Sequence, residues 1–214
     1  MPPDPTPILR FIHVDNLATV IRRGGLHSPK TIPTDGLPYR TTHDTSVQGA
    51  RADVKIDCGP AGTIHDYVPF YFGYLSPMML KLKTGKVEGY TEGQAPLIYL
   101  VTTAQAIKEA ELPFAFSNGH GLAAFTDWFD DLARLDEVDW DMVNQRYWTD
   151  SVNDMDRQRK KQAEFLVHNM CPWALIKEIA VLNATMKERV EAILSQFPAN
   201  EQRPVHVRPS WYYY

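Results

Sequence analysis

Cysteine is scarce. Cys58 and Cys171 are too few for a disulfide framework and form no CxxC pair. The histidines, at 13, 27, 43, 65, 120, 168 and 206, contain no HExxH and make no metal-ligand pattern with the cysteines, so no metal is expected. No run reaches the roughly eighteen apolar residues that would span a bilayer, so no membrane association is expected. The opening MPPDPTP has neither the basic nor the apolar region of a signal peptide. Neither G-x-S-x-G nor a P-loop occurs, which leaves serine hydrolase and nucleoside triphosphatase readings unsupported. What remains is a cytoplasmic, monomeric enzyme or binding module, expected as a single domain over residues 1–214.

The chain is 44% hydrophobic and carries a net charge of −4, which argues against a whole-surface nucleic-acid binder. The charge is uneven, however. Residues 127–141, DWFDDLARLDEVDWD, hold seven acids and one arginine, so the remainder is +2. Basic clusters stand at Arg22/Arg23, at Lys81/Lys83/Lys86 and from Arg157 to Lys161. Such a distribution fits either solvated charged faces or a basic cleft on an acidic protein.

ILRFIHV reads as a strand, followed by a helix LATVIRRGG capped by Asp15 or Asn16 and ended by Gly24/Gly25. Ser28 to Pro60 is rich in Thr, Pro, Gly and Asp and reads as a loop of about thirty residues, a length that favours function. YVPFYFGYL predicts an aromatic strand, with Pro69 suggesting an edge or an irregular start. APLIYLVTT predicts a buried strand leading into the helix AQAIKEA, and PFAFS a brief strand. An acidic helical region is expected from Leu122 to about Tyr147. WALIKEIAVLN reads as a strand, ATMKERVEAILSQF as an amphipathic helix, and RPVHVRPSWYYY as a last strand. Strands and helices without a regular βαβ rhythm predict an α+β fold.

NGHGLAAF matches G-x-G-x-x-A, but the dinucleotide fingerprint wants a buried strand bearing an acid about twenty residues on. DEVDWD is too polar for that strand. The glycines are read instead as a tight turn exposing His120. IHVDNLATVIRRGGL places a histidine at a strand end, NL at a helix start, then I-x-x-x-G-L, an arrangement that resembles the opening of the ADP-ribosyltransferase superfamily. HDYVPFYFGYLSPMML, FSNGHGLAAFTDWFDDLARLDEVDWDMVNQRYWTD and QAEFLVHNMCPWALIKEIAVLN, taken in order, resemble the DarT family of DNA ADP-ribosyltransferase toxins that stand beside a macrodomain antitoxin. The resemblance covers about Ile8 to Asn183. One departure is that many transferases carry His-x-Thr on the first strand, whereas here Arg10 and Ile12 occupy nearby positions and the histidine maps to His13.

The resemblance implies an ADP-ribosyltransferase-like α+β fold with central mixed or antiparallel strands and flanking helices. It also implies NAD⁺ as co-substrate and transfer of ADP-ribose to a thymidine base of single-stranded DNA. Glu164 would stabilise the ribose cation left as nicotinamide departs; an exposed helix glutamate paired with Lys160 or Lys161 is the plain alternative. Arg51 would stand beside the acceptor base, or contact an NAD⁺ phosphate. His13, Asn16, Tyr71 and His120 are the expected NAD⁺ contacts, with a core histidine and a half-buried sheet aromatic as the alternatives for His13 and Tyr71. Lys30, Tyr39, Arg40 and His43 of the long loop, with Arg157 and Lys161, are the candidates for DNA contact. Transfer to RNA or protein, or a non-catalytic NAD⁺ or nucleic-acid binding module, are the competing functions.

Overall fold

The computed structural model describes residues 1–43 and 45–214, with Thr45 and Ser46 described by their backbone alone. The chain begins with strand β1 (Pro7–His13), a single 3-10 turn, helix α1 (Leu17–Arg22) and β2 (Gly25–His27). Helix α2 (Thr45–Asp53) and the short strands β3 (Lys55–Ile56) and β4 (Gly62–Thr63) precede β5 (Tyr67–Tyr71) and α3 (Pro77–Lys83). Next come β6 (Leu97–Thr103), α4 (Ala104–Glu109), β7 (Phe114–Ser117), β8 (Trp128–Phe129), α5 (Trp140–Asn144) and α6 (Arg157–Lys161). The chain closes with β9 (Glu164–His168), β10 (Met170–Pro172), β11 (Glu178–Val181), α7 (Ala184–Leu194) and β12 (Val205–Val207).

Eight strands form one sheet in the order β12-β11-β6-β1-β5-β9-β7-β8, antiparallel throughout except for the β11–β12 pair. The pairing is uneven. β1 matches β6 along its whole length, from Pro7↔Thr103 to His13↔Leu97, yet touches β5 at one register position, Leu9↔Tyr71. The sheet is therefore two halves that part beside β1. Pro69 lies on this seam: its carbonyl accepts from Arg10 Nη1 at 2.8 Å. The N–H and C=O of a strand residue face the same neighbour, so the donor that proline lacks falls where no ladder forms. Pro69 thus marks an interior seam, where an edge or an irregular start was expected.

One face of the sheet buries Ile8, Ile12, Ile98 and Leu100 against Leu17, Val20 and Ile21 of α1 and Val190 and Leu194 of α7. The other packs Leu9, Tyr99 and Val101 against Met79 and Leu82 of α3 and Tyr212 near the C-terminus. The amphipathic pattern of α7 sets its orientation, and Asn183 caps it by accepting from the Met186 N–H at 2.9 Å.

Three expectations need correcting. The 28–60 stretch is not all loop, because TSVQGARAD folds into α2; with few apolar positions it carries no periodic signal. The acidic region from 122 to 147 is not one helix. It breaks into β8, a 3-10 segment over Leu132–Glu137 and α5, because Asp131 and Asp139 cap fresh starts by accepting from the N–H groups of Ala133 and Met142. WALIKEIAVLN is strand only over Glu178–Val181, after a 3-10 turn at Trp173–Leu175.

Candidate active site

The seam opens into a cleft of about 390 Å³. Glu164, the first residue of β9, lies at its floor and is 3% exposed. Its Oε1 accepts from Arg51 Nη1 at 2.8 Å and its Oε2 from Arg51 Nη2 at 2.6 Å, a parallel two-bond pairing. The Gly121 N–H adds a third bond to Oε1 at 3.3 Å, and the Glu164 N–H donates to Ser117 Oγ at 3.2 Å. The turn is closely fitted at Gly121, where an added Cβ would come within 2.8 Å of the end of the Ile64 side chain and 3.2 Å of the Glu164 carboxylate. The reading of Glu164 as an exposed helix residue is excluded, since it is a buried strand residue.

Burial works to raise the Glu164 pKa, but the charge and hydrogen bonds of Arg51 outweigh it, so the carboxyl sits below its ordinary range and is ionised at neutral pH. For Arg51, burial works against the charge and Glu164 outweighs it in turn. A fixed anion with a guanidinium clasped to it stands where water has little access, which strengthens both groups' electrostatic reach.

Tyr71 is paired in register with Glu164 and stacks on Phe11 at 6.0 Å and 9°. Its phenol is pushed up to about 12, first by burial and then by Glu164, and is neutral. His120 faces the same cleft from the glycine turn, held by a bond from its N–H to the Arg159 carbonyl at 2.9 Å. Burial lowers its pKa despite Glu164, so the imidazole is neutral at pH 7. Tyr39 and His43 line the cleft from the long loop.

Other expected site residues lie elsewhere. His13 is buried and is not among the residues lining the cleft: its Nδ1 accepts from the Asp15 N–H at 3.1 Å, and Nε2 stands 3.5 Å from Glu92 without a hydrogen bond. Asn16 binds the backbone of Arg40, and Arg40 pairs with Asp15 and Glu92 outside the cleft. Lys30 pairs with Asp66 at 2.7 Å. The Arg157 guanidinium donates to the carbonyls of Tyr147 and Thr149. Lys161 cannot guide a strand of DNA as expected. It is 4% exposed, and its Nζ donates inward to the carbonyls of Val143 and Gln145, at 2.5 and 2.8 Å.

Sequence reasoning gave no role to Arg10, Lys81, Gln158 or Gln162, all of which line the cleft. Arg10 is the informative one. Its Nε is buried with no partner, and it makes no ion pair with an acid among the described residues. It lies at the seam, next to Leu9 and its partner Tyr71 on one side, while its charge also acts on Cys171, the register partner of Leu26. Tyr71 and Leu26 both line the cleft. A cation placed on the first strand, one residue from the Leu9 contact, is visible only once β5 is known to pair there.

A profile of the family described as ssDNA thymidine ADP-ribosyltransferase, DarT, matches residues 9–213. A DNA ADP-ribosyl transferase of Thermus sp. (strain 2.9) is 40% identical over 211 residues, 99% of this chain and 98% of that protein. A solved structure of Thermus sp. 2.9 DarT in complex with ADP-ribosylated ssDNA superposes with a TM-score of 0.92 at 39% identity, covering 100% of this chain and 99% of the other. A second, in complex with NAD⁺, gives 0.87 at 38% identity and covers 100% of both chains. A cleft built on a parted sheet, with a buried carboxylate clasped by a guanidinium, accords with these likenesses: the chain belongs to the DarT family of single-stranded-DNA thymidine ADP-ribosyltransferases.

Proposed function

We propose that this chain transfers ADP-ribose from NAD⁺ to a thymidine base of single-stranded DNA, releasing nicotinamide, and that the cleft at the seam is where it does so. The observation that carries this reading is the buried, bidentate pair of Arg51 and Glu164 on the cleft floor. Breaking the bond between C1′ of the ribose and the nicotinamide nitrogen leaves positive charge on the sugar. An ionised, preorganised carboxylate favours that charge over the neutral-sugar ground state. Oε1 already accepts from both Arg51 and Gly121, whereas Oε2 accepts from Arg51 and keeps a lone-pair site that can hold a ribose hydroxyl.

The second half of the reaction forms a bond between C1′ and the thymine ring nitrogen while the imide proton of that nitrogen is released to solvent. Arg51 uses two of its five N–H donors on Glu164, and the rest of its fork is suited to a base carbonyl that gathers negative charge. The depressed Glu164 pKa supports an electrostatic role for the carboxylate more than a role as proton acceptor. Arg10, which makes no ion pair with an acid among the described residues, suits the diphosphate that joins the two nucleosides of NAD⁺. Tyr71 offers a neutral ring for the nicotinamide. Single-stranded DNA fits because the imide edge of thymine is engaged in pairing within a duplex. Tyr39 and His43 are positioned to meet the acceptor strand. The family resemblance extends the reading to a toxin paired with a macrodomain antitoxin.

The test is incubation of the chain with NAD⁺ and a thymine-containing oligonucleotide, single-stranded or annealed, beside RNA and protein acceptors, with products weighed by mass spectrometry. The expected product is ADP-ribosylated single-stranded DNA, absent with Glu164→Ala. A mass gain confined to RNA or protein overturns the substrate assignment.

A further inference from the structure

Asn16, Thr19 and Arg23, two of them the residues that flank α1, follow one stripe at helical spacing beside its apolar face. All three bind the same short segment. The Asn16 side-chain amide donates to the Arg40 carbonyl at 2.8 Å and accepts from the Arg40 N–H at 2.7 Å. Thr19 Oγ1 donates to the Pro38 carbonyl at 2.9 Å. Arg23 grips Asp35 with two bonds, at 2.8 and 2.7 Å, and reaches the Leu37 carbonyl at 3.3 Å.

Beyond these bonds the segment is tied by the exposed ion pairs of Arg40 with Asp15 and Glu92. Among the described residues, no backbone-to-backbone hydrogen bond involves residues 32–42. Its continuation forms one wall of the cleft through Tyr39, Thr41, Thr42 and His43. Asn16 and Thr19 are 1% and 2% exposed and do not line the cleft. The Asn16 amide copies what a neighbouring strand would offer, one donor and one acceptor to a single residue. If the wall lifts, two buried polar groups lose their partners, which opposes opening.

We propose that Asn16 and Thr19 are positioning residues for NAD⁺: they hold residues 35–43 as a cleft wall and set NAD⁺ affinity without touching it. This rests on the cleft being the NAD⁺ site. Asn16 was expected to contact NAD⁺ itself; its bonds to Arg40 give it a role in the wall instead.

The experiment compares the wild-type chain with Asn16→Ala, Thr19→Val and Thr19→Ser. Amide hydrogen exchange is followed with and without NAD⁺, and KM for NAD⁺ and kcat are measured on a single-stranded oligonucleotide. Asn16→Ala and Thr19→Val should speed exchange in residues 37–43 while leaving β9 as protected as in the wild type, which shows that the fold is intact. Each should raise KM for NAD⁺ roughly tenfold, the effect of losing a hydrogen bond or two, with kcat within about twofold. Thr19→Ser, which keeps the hydroxyl, should restore both. Unchanged KM despite faster exchange, a fall in kcat with KM unaltered, or failure of Thr19→Ser to restore would each overturn the proposal. If NAD⁺ protects neither β9 nor residues 37–43 of the wild-type chain, the assignment of the cleft itself fails, and this inference with it.

Discussion

Arg51 and Glu164 stand 113 positions apart in sequence and meet through two parallel hydrogen bonds, each nitrogen of the fork on its own carboxylate oxygen. One comes from a helix with almost no apolar pattern, the other from the first residue of an interior strand. Removing either partner leaves the other a buried charge, so the pair is expected to matter for stability as well as turnover.

Glu164→Gln keeps the shape of the side chain and removes the charge. Formation of ADP-ribosylated oligonucleotide should fall about a hundredfold to a thousandfold, the range for losing one preorganised stabilising group. Arg51→Lys retains a positive charge but not the fork, and should also fall by about a hundredfold. Initial rates at saturating NAD⁺ check both. A near-normal rate for Arg51→Lys would mean that charge alone suffices at that position.

Gly121→Ala tests how closely the glycine turn is fitted to the carboxylate. The new methyl would crowd the end of the Ile64 side chain, the Glu164 carboxylate and Trp128. A loss of about 1–3 kcal/mol in stability is expected from such overpacking, with kcat reduced roughly tenfold as the carboxylate shifts. Denaturant melts and kcat measured on the same preparation check the two effects together.

The acid limb of stability should report on Glu164. Its native pKa lies below the ordinary carboxylate value, so its stabilisation is full above that ordinary value and is lost as pH falls through the native one. Glutamine does not titrate. The stability gap between wild type and Glu164→Gln should be constant above about pH 5 and shrink below about pH 4.5. Urea midpoints across that range provide the measurement; a gap that widens on acidification would contradict the assigned direction.

Lys161 makes the opposite kind of prediction. Burial lowers its pKa from 10.5 to about 8, and no carboxylate compensates. The folded state therefore carries a penalty at and below pH 8 that is relieved as pH rises from about 8 toward 10.5. Wild type should gain stability over Lys161→Met across that interval, by on the order of 3 kcal/mol at most. Paired unfolding curves at pH 7.5 and about 10 settle the sign.

Some of this site could be read from residues alone. β1, β6 and α7 follow from their apolar periodicity, because burying one face is a local pattern that the fold merely honours. The resemblance singled out Glu164 and Arg51, but the surrounding residues argued for the wrong element: RQRKKQAEF is polar enough to suggest a solvated helix, whereas the strand begins at the glutamate itself. Lys161 was misread for a related reason. A lysine beside Arg157, Arg159 and Lys160 looks solvated, and only the carbonyls of Val143 and Gln145 at the end of α5 draw it inward.

The order of amino acids determined which segments had to hide an apolar face, the lack of any long apolar span, and the ionisable residues available for chemistry. Which of those residues share a cavity was decided by the sheet: β1 and β5 touch at one register position, and the gap this leaves is the cleft. The reason is physical. Burial of a face is written in spacing along the chain, while the meeting of an arginine and a glutamate across 113 residues depends on how distant strands pair, which no local pattern encodes.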